Sequence, residues 1–209
     1  MFQILTTLYL LLLLPTFSLC TLVNVSIDDQ LGDERTGTPI SYSFGWSFGP
    51  NCTDCEAAVD PGQVFDRTWH DTSFAPAQFG GDGAIRSAGA SFNGKSTPHS
   101  QEALVFTFLL GTAVYVVCIL THGFSNPNGN TDMAFFLDGV QAGSLEQPPN
   151  GDATYLYNQV VFSKTGLSSG VHNIRIDVGH NGTSALILFD RIIYTLVYVY
   201  IFRLKNVAY

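Results

Sequence analysis

Cys52-Thr-Asp-Cys55 sets two thiols three positions apart, a spacing shared by redox dithiols, half zinc sites and local disulfides. No second Cys pair accompanies it, and Pro61 limits any helix that would depress a thiol pKa, so a structural disulfide is the expected role. Spacing leaves open a bond from either residue to Cys118. The local Cys52–Cys55 bond is favoured, because Cys118 lies among Val and Ile and suits a buried free thiol. Trp69-His70-Asp71 is a second constellation: an aromatic face beside a polar pair is how sugar-binding surfaces combine stacking with directed hydrogen bonds. With Trp46, the other indole of the chain, it gives four candidate binding residues, Trp46, Trp69, His70 and Asp71. Packing is the favoured role for Trp69, with the indole in the core and His70 at the surface.

Two catalytic patterns match by letter only. Gly89-Ala-Ser-Phe-Asn-Gly94-Lys95-Ser96 fits the P-loop, but that motif needs a strand leading in and a helix starting within it. Here the preceding residues are Gly-rich and Pro98 comes soon after, so a glycine-rich loop is expected and no nucleotide. Gly166-Leu-Ser-Ser-Gly170 fits the nucleophile elbow, which requires a helix after the Ser. The next residues are the alternating run Val171-His-Asn-Ile-Arg-Ile-Asp-Val178, so the motif reads as a turn between strands. The five histidines show no ligand spacing, and no metal site or cofactor is expected.

These groups must be positioned by strands. Val23, Val25 and Ile27 alternate with polar residues, as do Ile174, Ile176 and Val178, which is the period of a half-buried strand. Residues 102–120, rich in β-branched and aromatic side chains, read as two core strands separated at Gly111-Thr112. Residues 133–137, 155–162 and 184–190 add further strands, and Asn128-Gly129, Asp138-Gly139, Asn150-Gly151 and Asn181-Gly182 supply hairpin-type turns. No segment after the N-terminal apolar run keeps helical spacing. The sum is an all-β chain of about eight to ten strands, an antiparallel sandwich or jelly roll.

Residues 1–20 carry no charged side chain and run Ile4-Leu-Thr-Thr-Leu-Tyr-Leu-Leu-Leu-Leu-Leu14 to small residues near Cys20, a signal-peptide pattern. Left uncleaved, the same run would be a membrane anchor. Three acceptor sequons, at Asn24, Asn51 and Asn181, agree with export. Residues 21–195 form a single domain; 76–101, rich in Gly, Ser and Ala, read as a disordered insertion, and 196–209 as an atypical tail without a partner. Nine Lys and Arg against seventeen Asp and Glu give a net charge of −8, which disfavours nucleic acid.

Val23-Asn-Val-Ser-Ile-Asp-Asp29, residues 46–55, Thr68-Trp-His-Asp71, Gly111-Thr-Ala-Val-Tyr115, Asp132-Met-Ala-Phe-Phe-Leu-Asp-Gly139 and Leu188-Phe-Asp-Arg-Ile-Ile-Tyr-Thr195 resemble a group of secreted or membrane-anchored β-sandwich proteins of mushroom-forming fungi, similar to galactose-binding-like jelly rolls. The resemblance implies that fold and a cell-surface setting; it supplies no established activity and no site residues. The expected function is an extracellular, non-catalytic module that binds cell-wall or glycoprotein glycans weakly. The alternative is a structural or adhesive surface protein without a small-ligand site, and a glycan-active enzyme ranks third.

Overall fold

The computed structural model describes residues 17–93, 108–125 and 127–202. They form twelve strands, β1 (Phe17–Asp28), β2 (Gly32–Asp33), β3 (Ser41–Tyr42), β4 (Trp46–Phe48), β5 (His70–Phe74), β6 (Arg86–Asn93), β7 (Phe108–His122), β8 (Thr131–Leu137), β9 (Val140–Gln147), β10 (Asp152–Thr165), β11 (Val171–Val178) and β12 (Ala185–Phe202), with short 3₁₀ turns and no α-helix among the described residues. All pairings are antiparallel, and two sheets result. One runs β10-β7-β12-β1-β2, with β5 also on β12 and β4 on β5; the other runs β3-β6-β11-β8-β9.

The sheets are held together by the inward half of each alternating strand. Val25 and Ile27 of β1, Val114, Val116 and Cys118 of β7 and Ile187, Phe189 and Tyr194 of β12 meet Ala88, Phe92, Met133, Phe135, Ile174 and Ile176 of the facing sheet. This is the sandwich that the period-two runs predict. β12 is the keel, flanked by β7 along its length on one side. On its other side β5 pairs with Ala185 to Phe189, and β1 takes over from Arg191 onward. At that changeover the β7–β12 register slips between Phe189 and Arg191, a β-bulge. Inward parity changes with it, from Ile187 and Phe189 to Ile192, Tyr194 and Leu196.

Several expectations are corrected. Gly111-Thr112 does not divide two strands: β7 is continuous from Phe108, and the dipeptide sits where the pairing slips between Thr195 and Leu196. Residues 102–107 lie outside the described residues. The supposed insertion contains β6, paired residue for residue with β11 from Asn93 to Arg86. Its inward positions Ala88 and Ala90 are small, which hides the alternation, but both are buried. Residues 94–101 are not described. The tail is partnered, between β1 and β7 as far as Val199 and by β1 alone as far as Phe202. Phe17 to Cys20, counted in the export segment, pair with residues 199–202 as part of β1, and 1–16 lie outside the description.

Of the four turn dipeptides, Asp138-Gly139 alone closes a hairpin, β8–β9; its φ values of 52° and 82° are both positive, as a type I′ turn demands. The others lie in connections that cross between sheets. Residues 43–45, 75–85, 123–125 with 127–130, 148–151 and 179–184 all cross at one end of the sandwich, where β5 and β7 finish and β12 begins.

Candidate functional site

β5 divides the four candidate residues between two faces. His70, Thr72 and Phe74 point toward the sandwich interior, where His70 stacks on Tyr42 at a centroid distance of 4.1 Å and Phe74 joins the main core. The outward residues, Trp69 and Asp71, lie beneath the long connection 49–68, which folds back over the outer face of the larger sheet. Trp69 is 5% exposed and packs with Val64, Ile119 and Leu188 in a second, smaller core. A Cβ on Gly49 would overlap its indole, which accounts for glycine at that position. The connection is pinned by two tyrosine hydroxyls of β10: Tyr155 accepts from the Ala58 amide (2.8 Å) and Tyr157 from the Asp60 amide (2.9 Å).

The packing role of Trp69 is what the structure displays, whereas His70 is turned inward and not toward solvent. Its Nδ1 lies 2.7 Å from Asp29 Oδ2, and Thr68 Oγ1 donates to Asp29 Oδ1 at 2.6 Å. This is the polar seam where β5 gives way to β1. Asp190, on the bulge, is paired there with Arg191 (2.6 Å), yet burial pushes its carboxyl up to about 7 despite that partner, helped by Asp29 and Asp28. Trp46 is half-buried against Tyr42 and Phe189, and its Nε1 has no hydrogen-bond partner.

Asp71 is different. It lines a cleft of about 430 Å³ at the crossing end of the sandwich, together with Ser47, Asp54, Glu56, Asn128, Ser184 and the Cys52–Cys55 disulfide. Cys52 and Cys55 are bonded and Cys118 is a buried free thiol, the favoured arrangement of the three. Asp71 is 7% exposed, its Oδ2 has no hydrogen-bond partner, and its carboxyl is pushed up to about 6, first by burial and then by Glu56. A buried carboxylate oxygen without a donor is costly, and folded chains seldom keep one without use. Next to lining residues stand exposed aromatics: Phe44 beside Gly45, and Phe79 and Phe124 in the neighbouring connections.

Sequence reasoning picks out Asp71 for its place beside Trp69, but misses Asp54, Glu56 and Asn128. The first two flank the disulfide and could be found from it. Asn128 and Ser184 arrive from connections far along the chain, and no local signal marks them. Of the P-loop look-alike, Gly89 to Asn93 are extended in β6 and not the loop expected, and Gly94, Lys95 and Ser96 lie outside the described residues; Gly166 to Gly170 form the β10–β11 turn, where the Ser168 carbonyl faces His172 Nε2 at 2.9 Å. Among the described residues no cluster of His, Cys, Asp and Glu has a metal-holding arrangement, and no helix is long and apolar enough to cross a membrane. The sequons at Asn24, Asn51 and Asn181 are all at exposed positions.

No family model matches the chain, and no curated protein does. Among solved structures, an exo-β-1,3-galactanase from Phanerochaete chrysosporium aligns over 83% of this chain and 29% of its own, at 11% identity and a TM-score of 0.40. A GH26-CBM35 β-(1,4)-mannanase from Podospora anserina aligns over 84% and 27%, at 11% identity and 0.37. Latent PorU from Porphyromonas gingivalis aligns over 89% and 13%, at 14% identity and 0.33. The chain thus spans less than a third of each of these proteins.

Proposed function

We propose that this chain is an extracellular, non-catalytic β-sandwich module that binds carbohydrate in the cleft at the crossing end. The observation that carries the reading is Asp71, buried at the cleft wall with Oδ2 unpartnered. A sugar presents several hydroxyl donors on a compact ring, and a carboxylate accepting one or two of them is a strong, directional contact. Ser47, Asn128 and Ser184 extend the polar lining, while Phe44 and Phe79 stand within neighbouring connections for stacking against a longer chain. The cleft replaces Trp69 as the centre of the binding reading, since that indole is enclosed.

Export is part of the proposal. It rests on the disulfide, the exposed sequons and the N-terminal apolar run. Intact mass before and after glycosidase treatment should reveal glycan on at least one of Asn24, Asn51 and Asn181; an unmodified protein retained in the cytosol would overturn it. For the ligand, a glycan array followed by titration calorimetry should find binding in the millimolar to micromolar range, roughly −4 to −8 kcal/mol. Asp71→Asn should abolish it while the protein stays folded. A silent array leaves the structural or adhesive module as the function, and cleavage of a bound glycan would reassign Asp71 and Glu56 to acid–base roles.

A further inference from the structure

We propose that the sugar recognised by the cleft carries a protonated amine, so that the ligand class is a deacetylated amino sugar and its oligomers. The inference rests on the carbohydrate reading and narrows it. Three acidic residues, Asp54, Glu56 and Asp71, line the cleft, and among the described residues no Lys, Arg or His does. Acidity alone would describe a solvated surface, but Asp71 is only 7% exposed and its Oδ2 faces no donor. Neutral donors could satisfy that oxygen alone, but a cleft lined, among the described residues, by three carboxylates and no cationic side chain favours a partner that brings positive charge as well as hydrogen bonds.

The candidate sugars differ in what they offer. A uronic acid would add a fourth negative charge to the cleft and be repelled. A neutral sugar can donate hydroxyls to Asp71 but leaves its charge, and that of Glu56, uncompensated. An alkylammonium supplies up to three N–H donors and one positive charge from a single atom, and hydrogen bonds with both partners charged are the strong ones. N-acetylation removes that charge and two of the donors. A bare metal ion fits less well, because no three acidic or ligating side chains converge on one point among the described residues. Ser47, directly across the β4–β5 ladder from Asp71, and Ser184 and Asn128 of the lining suit the hydroxyls of the ring that carries the amine.

The pH behaviour comes from the same residue. Asp71 is held up to about 6 by burial and by Glu56, so it is mostly ionised at pH 7, and an ammonium bound beside it favours the ionised form. Affinity for the amine should therefore fall as pH drops below 6, the sign opposite to that expected if the ligand had to meet a protonated carboxyl.

The test is calorimetry at pH 7 on the disulfide-intact protein with a glucosamine tetrasaccharide, its fully N-acetylated counterpart and tetralysine. The expected result is at least a tenfold preference for the deacetylated sugar, about 1.4 kcal/mol, over both other probes. Asp71→Asn should erase the preference, and Glu56→Gln, on the exposed loop, should reduce it. Equal affinity for the two tetrasaccharides overturns the amine inference and leaves the carbohydrate reading standing. Tetralysine binding as tightly as the amino sugar overturns it as well, in favour of a basic polypeptide partner. If neither tetrasaccharide binds, the inference falls, and the glycan array decides separately whether the carbohydrate reading falls with it.

Discussion

Asp71 and Asp132 are both buried carboxylates at the crossing end of the sandwich, 7% and 0% exposed, and their surroundings treat them in opposite ways. Asp132, in β8, receives the Asn181 amide (3.0 Å), the Thr183 amide (3.3 Å) and the Thr183 hydroxyl (3.0 Å), and so ties down the connection into β12. Asp71, in β5, lines a cleft, and its enclosed Oδ2 has no hydrogen-bond partner. The contrast separates a carboxylate used to fold a loop from one left for something else to satisfy. Burial alone could not tell them apart; the count of donors does.

The largest expected effect tests the floor on which Asp71 stands. Trp69→Ala should cost about 3–5 kcal/mol, because it empties an enclosed aromatic site in the small core under residues 49–68. Chemical denaturation measures it. A loss below about 1 kcal/mol would mean that the indole is not the packing element described, and that the long connection is held by Tyr155 and Tyr157 alone.

Asp132→Ala comes next. It strands two amides and a hydroxyl that now share one carboxylate, at a cost of about 2–4 kcal/mol, read as a fall in the denaturation midpoint. An unchanged midpoint would remove the distinction between the two aspartates from the structural side.

Asp71→Asn should act in the other direction. A carboxyl whose pKa is raised on folding binds its proton more tightly in the native state, so it costs nothing below the unfolded value near 4. Its penalty grows as pH rises through 4 to 6 and is complete above that. The neutral amide should therefore stabilise the protein by about 1–3 kcal/mol at pH 8, and by nothing measurable at pH 4. Loss of ligand binding in a variant that is more stable is the pattern of a residue kept for recognition. Destabilisation at pH 8 would mean that Asp71 has a structural partner after all.

The comparison also shows what the sequence can disclose. β1 and β11 are legible because large and polar residues alternate, and the Asp138-Gly139 hairpin because that dipeptide favours a type I′ turn, although Asn128-Gly129, Asn150-Gly151 and Asn181-Gly182, with the same preference, close no hairpin. β6 is not, since Ala88 and Ala90 fill their inward positions with methyl groups that do not register as hydrophobic alternation. Phe135 and Tyr194, both fully buried, supply bulk elsewhere in the core. Gly111-Thr112 looks like a turn, because a bulge and a turn draw on the same residues and only the partner strand tells them apart. The cleft is half legible: Asp71 and the disulfide are marked in the chain, whereas Asn128 and Ser184 join them through long-range pairing. That Asp132 is saturated and Asp71 is not has no sequence signature, because both are single Asp residues beside strand-forming neighbours.

The smallest effect belongs to a third carboxylate, at the opposite end, that is satisfied but exposed. Asp138 accepts from the Asn173 amide at 2.8 Å and faces His172 Nδ1 at 2.8 Å, while Nε2 of the same ring meets the Ser168 carbonyl at 2.9 Å. Burial works against a charged His172, yet the Ser168 carbonyl and Asp138 outweigh it and raise its pKa; at Asp138 burial is likewise overcome, by His172 and the Asn173 amide, and its pKa is lowered. The histidine's contribution is complete below its unfolded value near 6.5 and fades as pH rises through the folded one. The aspartate's is complete above its unfolded value near 4 and fades as pH falls. His172→Gln should therefore destabilise most between about pH 4 and 6.5 and less on either side. With Asp138 44% exposed at its side chain, solvent screening keeps the loss below about 1 kcal/mol. Denaturation midpoints of wild type and variant across pH 3–9 give the profile. A flat difference would show that the ring only packs, leaving no charged pair at this end to set against Asp71.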